Sequence, residues 1–215
     1  MGLPPEARES GETRPEAAMS LSSAPGLLLV VGLGNPGKDY RNHRHNVGFM
    51  LADRLAADLG LRFARRQSKA LVTSGSLSGR KLILAKPQTF MNLAGQSVAP
   101  LARFYRIART DLLVICDDLD LPQGALRLRP EGGSAGHKGL RSIFEALGSQ
   151  DFPRLRIGIG RPPGSMDPAD FVLQSFSQEE WPVFEAALDR GLEAIRLFAS
   201  GGIQAAMTRF NGPPD

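Results

Sequence analysis

The residues with the clearest chemical potential are an amide and an imidazole that follow the first apolar run. Residues 27–31 are all leucine or valine, and the next six residues read Gly-Leu-Gly-Asn-Pro-Gly. Asn35 lies in this glycine loop, and His45 lies ten positions further along the chain. A neutral imidazole can accept a proton from water, and a carboxamide can donate hydrogen bonds to an oxygen that gains charge. The pair therefore indicates hydrolytic chemistry.

The glycine pattern also suggests a nucleotide-dependent oxidoreductase, because G-x-G-x-x-G after a strand is typical of dinucleotide binding. That use requires a helix that begins inside the glycines and an acidic residue about twenty positions on, at the end of a second strand. Residues 38–46 are instead polar without a helical stripe, and Asp58 falls inside a predicted helix. The pattern does not favour a dinucleotide site.

Other polar residues follow later apolar runs, and ligands in open α/β sheets bind beyond the carboxyl ends of strands. Asp117 follows residues 112–116, and Asn92 comes soon after residues 81–85. We expect Asp117 to orient His45 and Asn92 to act with Asn35. No serine is expected in a nucleophile elbow, because the one G-x-S-x-G match, at 132–136, directly adjoins neither the predicted strand at 125–129 nor the predicted helix at 139–147. Water is therefore the expected nucleophile and His45 the general base. If Asn46 caps the next helix, the helix dipole keeps His45 neutral at pH 7.

Less specific interpretations stay open at this stage. His45 could be a capping or surface histidine, Asn35 a turn residue and Asp117 a loop acid that binds backbone N–H groups. A metal centre is a weaker alternative. The sequence contains no closed set of zinc ligands and no H-E-x-x-H pattern. The possible ligands are His43, His45, His137, Asp117, Asp118 and Asp120. Cys116 could form a nucleophile pair with His45, although a small core residue is the simpler interpretation.

Strand and helix patterns alternate along the chain, which predicts a single-domain α/β sandwich. Continuous or alternating apolar residues predict strands at 27–31, 70–77, 81–85, 112–116, 125–129 and 154–159. Helical spacing predicts helices near 47–59, 96–106, 139–147 and 180–199.

The first 25 residues differ in composition from the rest of the chain. They contain four prolines and few large apolar groups, so we expect a disordered extension, with one domain over 26–215. This stretch lacks the pattern of a secretory signal, and Met19 is a candidate start. No apolar run approaches the roughly 20 residues of a membrane span. The one cysteine excludes a disulfide framework and favours a reducing cytoplasm.

Charge points to a polyanionic partner. The chain carries a net charge of +4, and residues 26–215 carry 24 basic and 18 acidic residues. In the two alternating strands at 125–129 and 154–159, the arginines share the face opposite the leucines and isoleucines, and they are Arg127, Arg129, Arg154 and Arg156. This pattern predicts a stripe that contacts phosphates, and a solvated charged face is the alternative.

Seven segments together resemble the bacterial-type peptidyl-tRNA hydrolase family. They occur in family order over about 27–211 and read Val-Gly-Leu-Gly-Asn-Pro-Gly-Lys-Asp-Tyr (31–40), Arg-His-Asn-Val-Gly (44–48), Lys-Pro-Gln-Thr-Phe-Met-Asn-Leu-Ala-Gly (86–95), Asp-Asp-Leu-Asp-Leu-Pro-Gln-Gly (117–124), Gly-Gly-Ser-Ala-Gly-His-Lys-Gly-Leu (132–140), Arg-Leu-Arg-Ile-Gly-Ile-Gly-Arg-Pro (154–162) and Arg-Phe-Asn (209–211). Seven ordered segments are far more specific than one motif.

The resemblance implies a three-layer α/β/α fold with a mixed, mostly parallel sheet, and a monomeric cytoplasmic enzyme without metal or cofactor. Such an enzyme cleaves the ester between a nascent peptide and the 3′-terminal ribose of tRNA, and it binds the acceptor end and the phosphate backbone. The resemblance places the base at His45 and its orienting acid at Asp117. It places substrate contacts at Asn35, Tyr40, Met91 and Asn92. A second glycine-rich loop, residues 132–139, borders the site.

Two positions depart from the family pattern, which usually has histidine at Cys116 and asparagine at Lys138. The first is expected to lie behind the site. At the second, an ammonium could contact the ester or a phosphate, or it could face solvent. Relatives that bind RNA without hydrolysis are an alternative within the same fold, and the joint presence of Asn35, His45 and their partners favours the enzyme.

Overall fold

The computed structural model describes residues 26–212, which fold into one mixed sheet covered by helices. In chain order the strands are β1 (Leu28–Gly32), β2 (Arg65–Gln67), β3 (Ala70–Leu77), β4 (Arg80–Pro87), β5 (Leu112–Asp118), β6 (Leu126–Arg129) and β7 (Arg154–Gly158). Across the sheet they lie in the order β2-β3-β4-β1-β5-β7-β6.

The centre of the sheet is parallel and its two sides are antiparallel. Strands β4, β1, β5 and β7 pair in parallel, while the β2–β3, β3–β4 and β6–β7 pairs are antiparallel. The central strands are continuous apolar runs because helices cover both of their faces. Their carboxyl ends meet at one edge, which is where Gly32, Pro87 and Asp118 end their strands.

Helices form an outer layer on each face of the sheet. Their bounds are α1 (Val47–Asp58), α2 (Gly95–Phe104), α3 (Lys138–Leu147), α4 (Pro168–Phe171) and α5 (Trp181–Phe210), with short 3₁₀ turns at Arg44–Asn46, Met91–Leu93 and Arg109–Asp111. Alternate residues of β1 point to opposite layers: Val30 packs in the core with α1 and α5, and Val31 packs in the core with α2 and α3. The predicted three-layer α/β/α fold with a mixed, mostly parallel sheet is therefore confirmed.

The last helix secures the edge strand β6. Gly202 has a φ of 76° and interrupts α5, so the chain bends before its final turns. Asn211 then accepts a hydrogen bond from the Leu128 N–H and donates one to the Leu128 carbonyl, at 2.7 and 3.1 Å. This contact explains the terminal Arg-Phe-Asn segment structurally, because it satisfies backbone groups that an edge strand leaves open.

Most predicted elements agree with the structure within one or two residues. The predicted helix at 180–199 extends to Phe210, and β2 and α4 had not been predicted. Both are short, and β2 reads Arg-Arg-Gln, which carries no apolar alternation. The predicted disorder of residues 1–25 lies outside the described residues.

Candidate active site

The glycine loop packs against α1, and this packing is the physical reason for its glycines. A Cβ on Gly32 would lie 2.1 Å from the Gly48 carbonyl oxygen, and one on Gly34 would lie 2.6 Å from the Phe49 ring. The Phe49 N–H also donates to the Leu33 carbonyl at 3.0 Å. The glycines therefore bring the loop against α1, and no helix begins inside them, as the sequence predicted.

Asn35 is held by three hydrogen bonds that fix the direction of its amide. Its backbone N–H donates to Asn46 Oδ1 at 2.8 Å, and its carbonyl accepts from Asn46 Nδ2 at 2.9 Å. Its own Oδ1 accepts from the Met91 N–H at 2.8 Å, which leaves Nδ2 as the free donor. Asn46 occupies the N-cap position of α1, but its side chain binds Asn35 and makes no cap hydrogen bond to the helix.

His45 is a buried imidazole bound to a buried carboxylate. Its Nδ1 lies 2.8 Å from Asp117 Oδ1. Burial lowers the pKa of His45, but the charge and hydrogen bond of Asp117 together outweigh burial, so the pKa lies above its ordinary value. This upward shift of the pKa is opposite in direction to the downward shift expected from a helix dipole. Despite its burial, Asp117 has a pKa far below the usual range, because the His45 and His137 partners favour its charged form.

His137 completes this arrangement, although from the sequence it was predicted only as a possible metal ligand. Its Nε2 lies 3.1 Å from the same Asp117 oxygen, and its ring centroid is 4.9 Å from that of His45. Its Nδ1 accepts the Gly139 and Leu140 N–H groups at the start of α3. Nδ1 thus carries no proton, and Nε2 donates to Asp117. The only sequence signal was a histidine on a glycine loop before a helix.

Arg44 anchors the turn that carries His45. Its guanidinium makes two 2.7 Å hydrogen bonds to Glu180 and lies 4.5 Å from the centre of the Phe171 ring. The backbone N–H of His45 donates to the Val172 carbonyl at 2.9 Å. The segment from α4 to α5 therefore holds the His45 backbone from one side while Asp117 holds its ring from the other.

These side chains meet in one open cleft with a volume of about 640 Å³. All seven predicted catalytic and substrate-contact residues lie on its wall, and they are Asn35, Tyr40, His45, Met91, Asn92, Asp117 and Lys138. Of the arginines predicted to contact phosphates, Arg156 lines the cleft, and Arg127, Arg129 and Arg154 do not. The cleft residues come from five separate segments of the chain, and Asn35, Asn92 and Asp117 lie at the carboxyl edge of the sheet, as expected from the sequence.

Lys138 is exposed at the first position of α3 and borders the cleft. Among residues 26–212, its ammonium has no hydrogen-bond or ion-pair partner. Its positive charge opposes the positive charge of a protonated imidazole, so it acts to lower the pKa of His45 against the stronger effect of Asp117.

The predicted basic stripe needs one correction. Arg127 lies opposite Arg156, and Arg129 opposite Arg154, on the shared face of β6 and β7. Arg154, however, is completely buried, and its guanidinium donates to the carbonyls of Gln150, Phe152 and Gly132. Its guanidinium is not accessible to a phosphate. Arg154 instead ties the second glycine-rich loop to β7 through the Gly132 carbonyl. Arg156 is partly engaged, with a 2.9 Å ion pair to Asp118.

Two alternative chemistries fit the site poorly. Cys116 is buried, and burial together with the nearby Asp117 charge raises the pKa of its thiol, so it does not supply a thiolate for a pair with His45. His45, Asp117 and His137 have possible metal-ligand atoms within 4.8 Å of one another. A metal on His137 Nε2 would require the proton to move to Nδ1, where two backbone N–H groups already donate.

A family model, sequence relatives and a solved structure all relate the chain to the same protein family. The model of the family described as peptidyl-tRNA hydrolase matches residues 29–215. The chain is 51% identical over 183 residues to peptidyl-tRNA hydrolase of Mycobacterium marinum (85% of this chain, 96% of that one) and 50% identical over 185 residues to that of Desulfitobacterium hafniense (86% and 100%). A crystal structure of peptidyl-tRNA hydrolase from Acinetobacter baumannii superposes with a TM-score of 0.83 at 36% identity, covering 89% of this chain and 97% of that one. Within residues 26–212 no helix has the length and apolar character to cross a membrane.

Proposed function

Since the chain belongs to the peptidyl-tRNA hydrolase family and is an enzyme that hydrolyses peptidyl-tRNA, we propose that its chemistry is water attack with His45 as general base. The observation that carries this proposal is the 2.8 Å contact of His45 Nδ1 with Asp117. The contact fixes the proton on Nδ1 and leaves Nε2 as the basic atom.

The proposed reaction has two proton transfers. His45 Nε2 takes a proton from a water whose oxygen attacks the ester carbonyl, and the carbonyl oxygen becomes an oxyanion. Asn35 Nδ2 donates a hydrogen bond to that oxyanion, because Asn35 Oδ1 is already held by the Met91 N–H. The imidazolium, stabilised by Asp117, then gives its proton to the 3′-ribose oxygen as the C–O bond breaks.

Substrate contacts are proposed for the remaining cleft residues. Tyr40, Met91 and Asn92 line the cleft beside Asn35, where they can hold the peptide end of the substrate. The Lys138 ammonium can pair with the oxyanion or with a phosphate near the tRNA 3′ end. Arg127, Arg129 and Arg156 are proposed to contact tRNA phosphates, and Arg154 is excluded by its burial.

We further propose that the reaction needs no metal and that a monomer carries it out in the cytoplasm. The tautomer that the start of α3 imposes on His137 supports metal independence, because it directs an N–H and not a lone pair at Asp117. Activity that survives dialysis against EDTA supports this part, and activity restored only by added Zn²⁺ or Mg²⁺ contradicts it. Light scattering tests the monomer.

The substrate test compares N-acetylaminoacyl-tRNA with aminoacyl-tRNA of the same tRNA. Release of free tRNA from the N-blocked substrate alone supports an enzyme that acts on peptidyl ends. Equal hydrolysis of both substrates contradicts this selectivity. RNA binding without hydrolysis of either would instead match the non-hydrolytic relatives of this fold.

A further inference from the structure

A second basic surface lies at the β2 edge of the sheet, which is the edge opposite to β6. Residues 59–110 contain ten lysines and arginines and no aspartate or glutamate. This stretch includes β2, the β2–β3 turn and α2. An uninterrupted positive segment of 52 residues in a chain of net charge +4 indicates a concentrated field and not a mixed, solvated surface.

Two hydrogen bonds join the hairpin to α2, so the cations belong to one continuous surface. Lys69 Nζ donates to Gln96 Oε1 at 2.8 Å, at the start of α2. Arg65 Nη2 lies 2.5 Å from the Tyr105 hydroxyl, directly after the end of α2. We call this region the β2–α2 surface and define it by Arg65, Lys69, Arg103, Phe104 and Arg106.

The positive charges of the β2–α2 surface are not neutralised within the described part of the chain. None of its four cations forms an ion pair among residues 26–212. Other basic residues of the same stretch do: Arg80 pairs with Asp111, Lys86 with Asp53 and Arg109 with Asp151. Arg62, Arg66 and Lys81 likewise form no ion pair among residues 26–212, so the β2–α2 surface holds four of the seven unpaired cations of this stretch. These four can accept anions.

An aromatic ring stands exposed among these cations. Phe104 is 68% exposed, the highest value among the exposed large hydrophobic residues of the described chain. The Tyr105 ring supports it edge-on, with centroids 4.9 Å apart and planes at 85°. Exposed rings between lysines and arginines are what proteins use to stack unpaired bases while cations follow the phosphates.

Two of the cations occupy backbone positions that disfavour them. Lys69 has a φ of 58° and Arg106 a φ of 51°, in the left-handed region that glycine or asparagine adopts more readily. The sequence thus has charged residues at two positions, 69 and 106, where the backbone conformation alone would favour glycine. Protection of an edge strand by charge could explain Arg65, but it does not explain Arg103, Phe104 and Arg106, which lie at the end of a helix.

We propose that the β2–α2 surface binds an unpaired RNA strand, with its phosphates on the four cations and one base stacked on Phe104. This strand is separate from the acceptor arm of the substrate, for which the arginines on the other side of the sheet are proposed. The surface adjoins the cleft: the Lys69 carbonyl accepts the Gln88 N–H at 2.7 Å, two residues before Phe90 in the cleft wall. Bound RNA would therefore hold the enzyme beside its substrate.

The test measures fluorescence anisotropy of a labelled 12-nucleotide oligouridylate with the full chain. Phe104→Leu should weaken binding about 5- to 150-fold, which corresponds to the loss of one stacked base. Phe104→Tyr keeps a ring and should retain affinity. Arg103→Glu and Arg106→Glu should each reduce the slope of log K against log salt by roughly 0.7 or more, because single strands release about that many ions per phosphate contact.

Lys81→Glu is the matched control, since it makes the same charge change and Lys81 is exposed near the start of β4, opposite Ser76 and therefore at the other end of β3 from Lys69. It should leave oligouridylate binding unchanged, and all variants should keep the wild-type kcat and KM on peptidyl-tRNA. Equal binding by wild type and Phe104→Leu would overturn the proposal, and so would equal losses in the Lys81→Glu control. Competition by substrate tRNA with a matching rise of KM would also overturn it, by assigning the surface to the substrate.

Discussion

Replacing Asp117 with asparagine removes the charge that two imidazoles share while it keeps the size of the side chain. His45 and His137 both donate to the same oxygen, at 2.8 and 3.1 Å. An asparagine oxygen is neutral and its amide group donates, so the substitution weakens both contacts and permits the His45 tautomer in which Nε2 carries the proton. That tautomer cannot accept a proton from water.

The size of the effect follows from the contact that is lost. A hydrogen bond to a charged group contributes about 1.5–3 kcal/mol. With about 1.36 kcal/mol for each tenfold change in rate, kcat for peptidyl-tRNA should fall about 10- to 150-fold. The loss in His45→Ala is the upper limit, because Asp117 acts through His45, and a missing general base costs about 10²–10⁴.

The assay that refutes this reasoning is a double-mutant cycle. In steady-state hydrolysis of peptidyl-tRNA, the variant that combines Asp117→Asn with His45→Ala should be no slower than His45→Ala alone, because groups that act as one unit are not additive. Thermal unfolding of each variant shows that the fold persists. A double variant slower than His45→Ala by the full factor of Asp117→Asn would show that Asp117 acts independently of His45.

Further outcomes follow from the same geometry. A protonated His45 cannot act as base, and Asp117 raises the pKa of His45, so kcat should rise with pH through a midpoint above about 6.5. Asp117→Asn should move this midpoint to lower pH. An unchanged midpoint would contradict the pairing of His45 with Asp117. Lys138→Glu should raise the midpoint above that of Lys138→Asn, and identical profiles would mean that the lysine does not affect the base. Arg156→Glu should raise KM for full-length peptidyl-tRNA and leave a peptidyl-adenosine substrate much less affected; equal losses would count against phosphate contacts. Gly48→Ala should lower the free energy of unfolding by roughly 1–3 kcal/mol and should also lower kcat, because the new Cβ would lie 2.5 Å from a β5 carbonyl oxygen. Unchanged thermal unfolding would refute this packing argument.

The sheet and its helices could be predicted because their signals are local. Continuous apolar runs mark the central strands, and helical spacing marks α1, whose predicted end at residue 59 lies next to the observed end at Asp58. The site could be located because the carboxyl ends of parallel strands meet at one edge. Position in the sheet, and not the identity of a single motif, brought Asn35, His45 and Asp117 together.

The parts that could not be predicted depend on distant contacts. The alternation of β7 shows that Arg154 shares a face with Arg156, but not that α3 and Phe152 bury it there. The raised pKa of His45 depends on its distance to a residue 72 positions away. The role of His137 likewise depends on the start of α3, which fixes its tautomer.

The most direct test of the central claim is single-turnover hydrolysis of peptidyl-tRNA by His45→Ala, with enzyme in excess and the chelator EDTA present. We predict a loss of about 10²–10⁴ in rate, unchanged tRNA affinity, and partial recovery of the rate when free imidazole is added. A near-wild-type rate, or a loss that appears only in tRNA affinity, would contradict the assignment of His45 as the base.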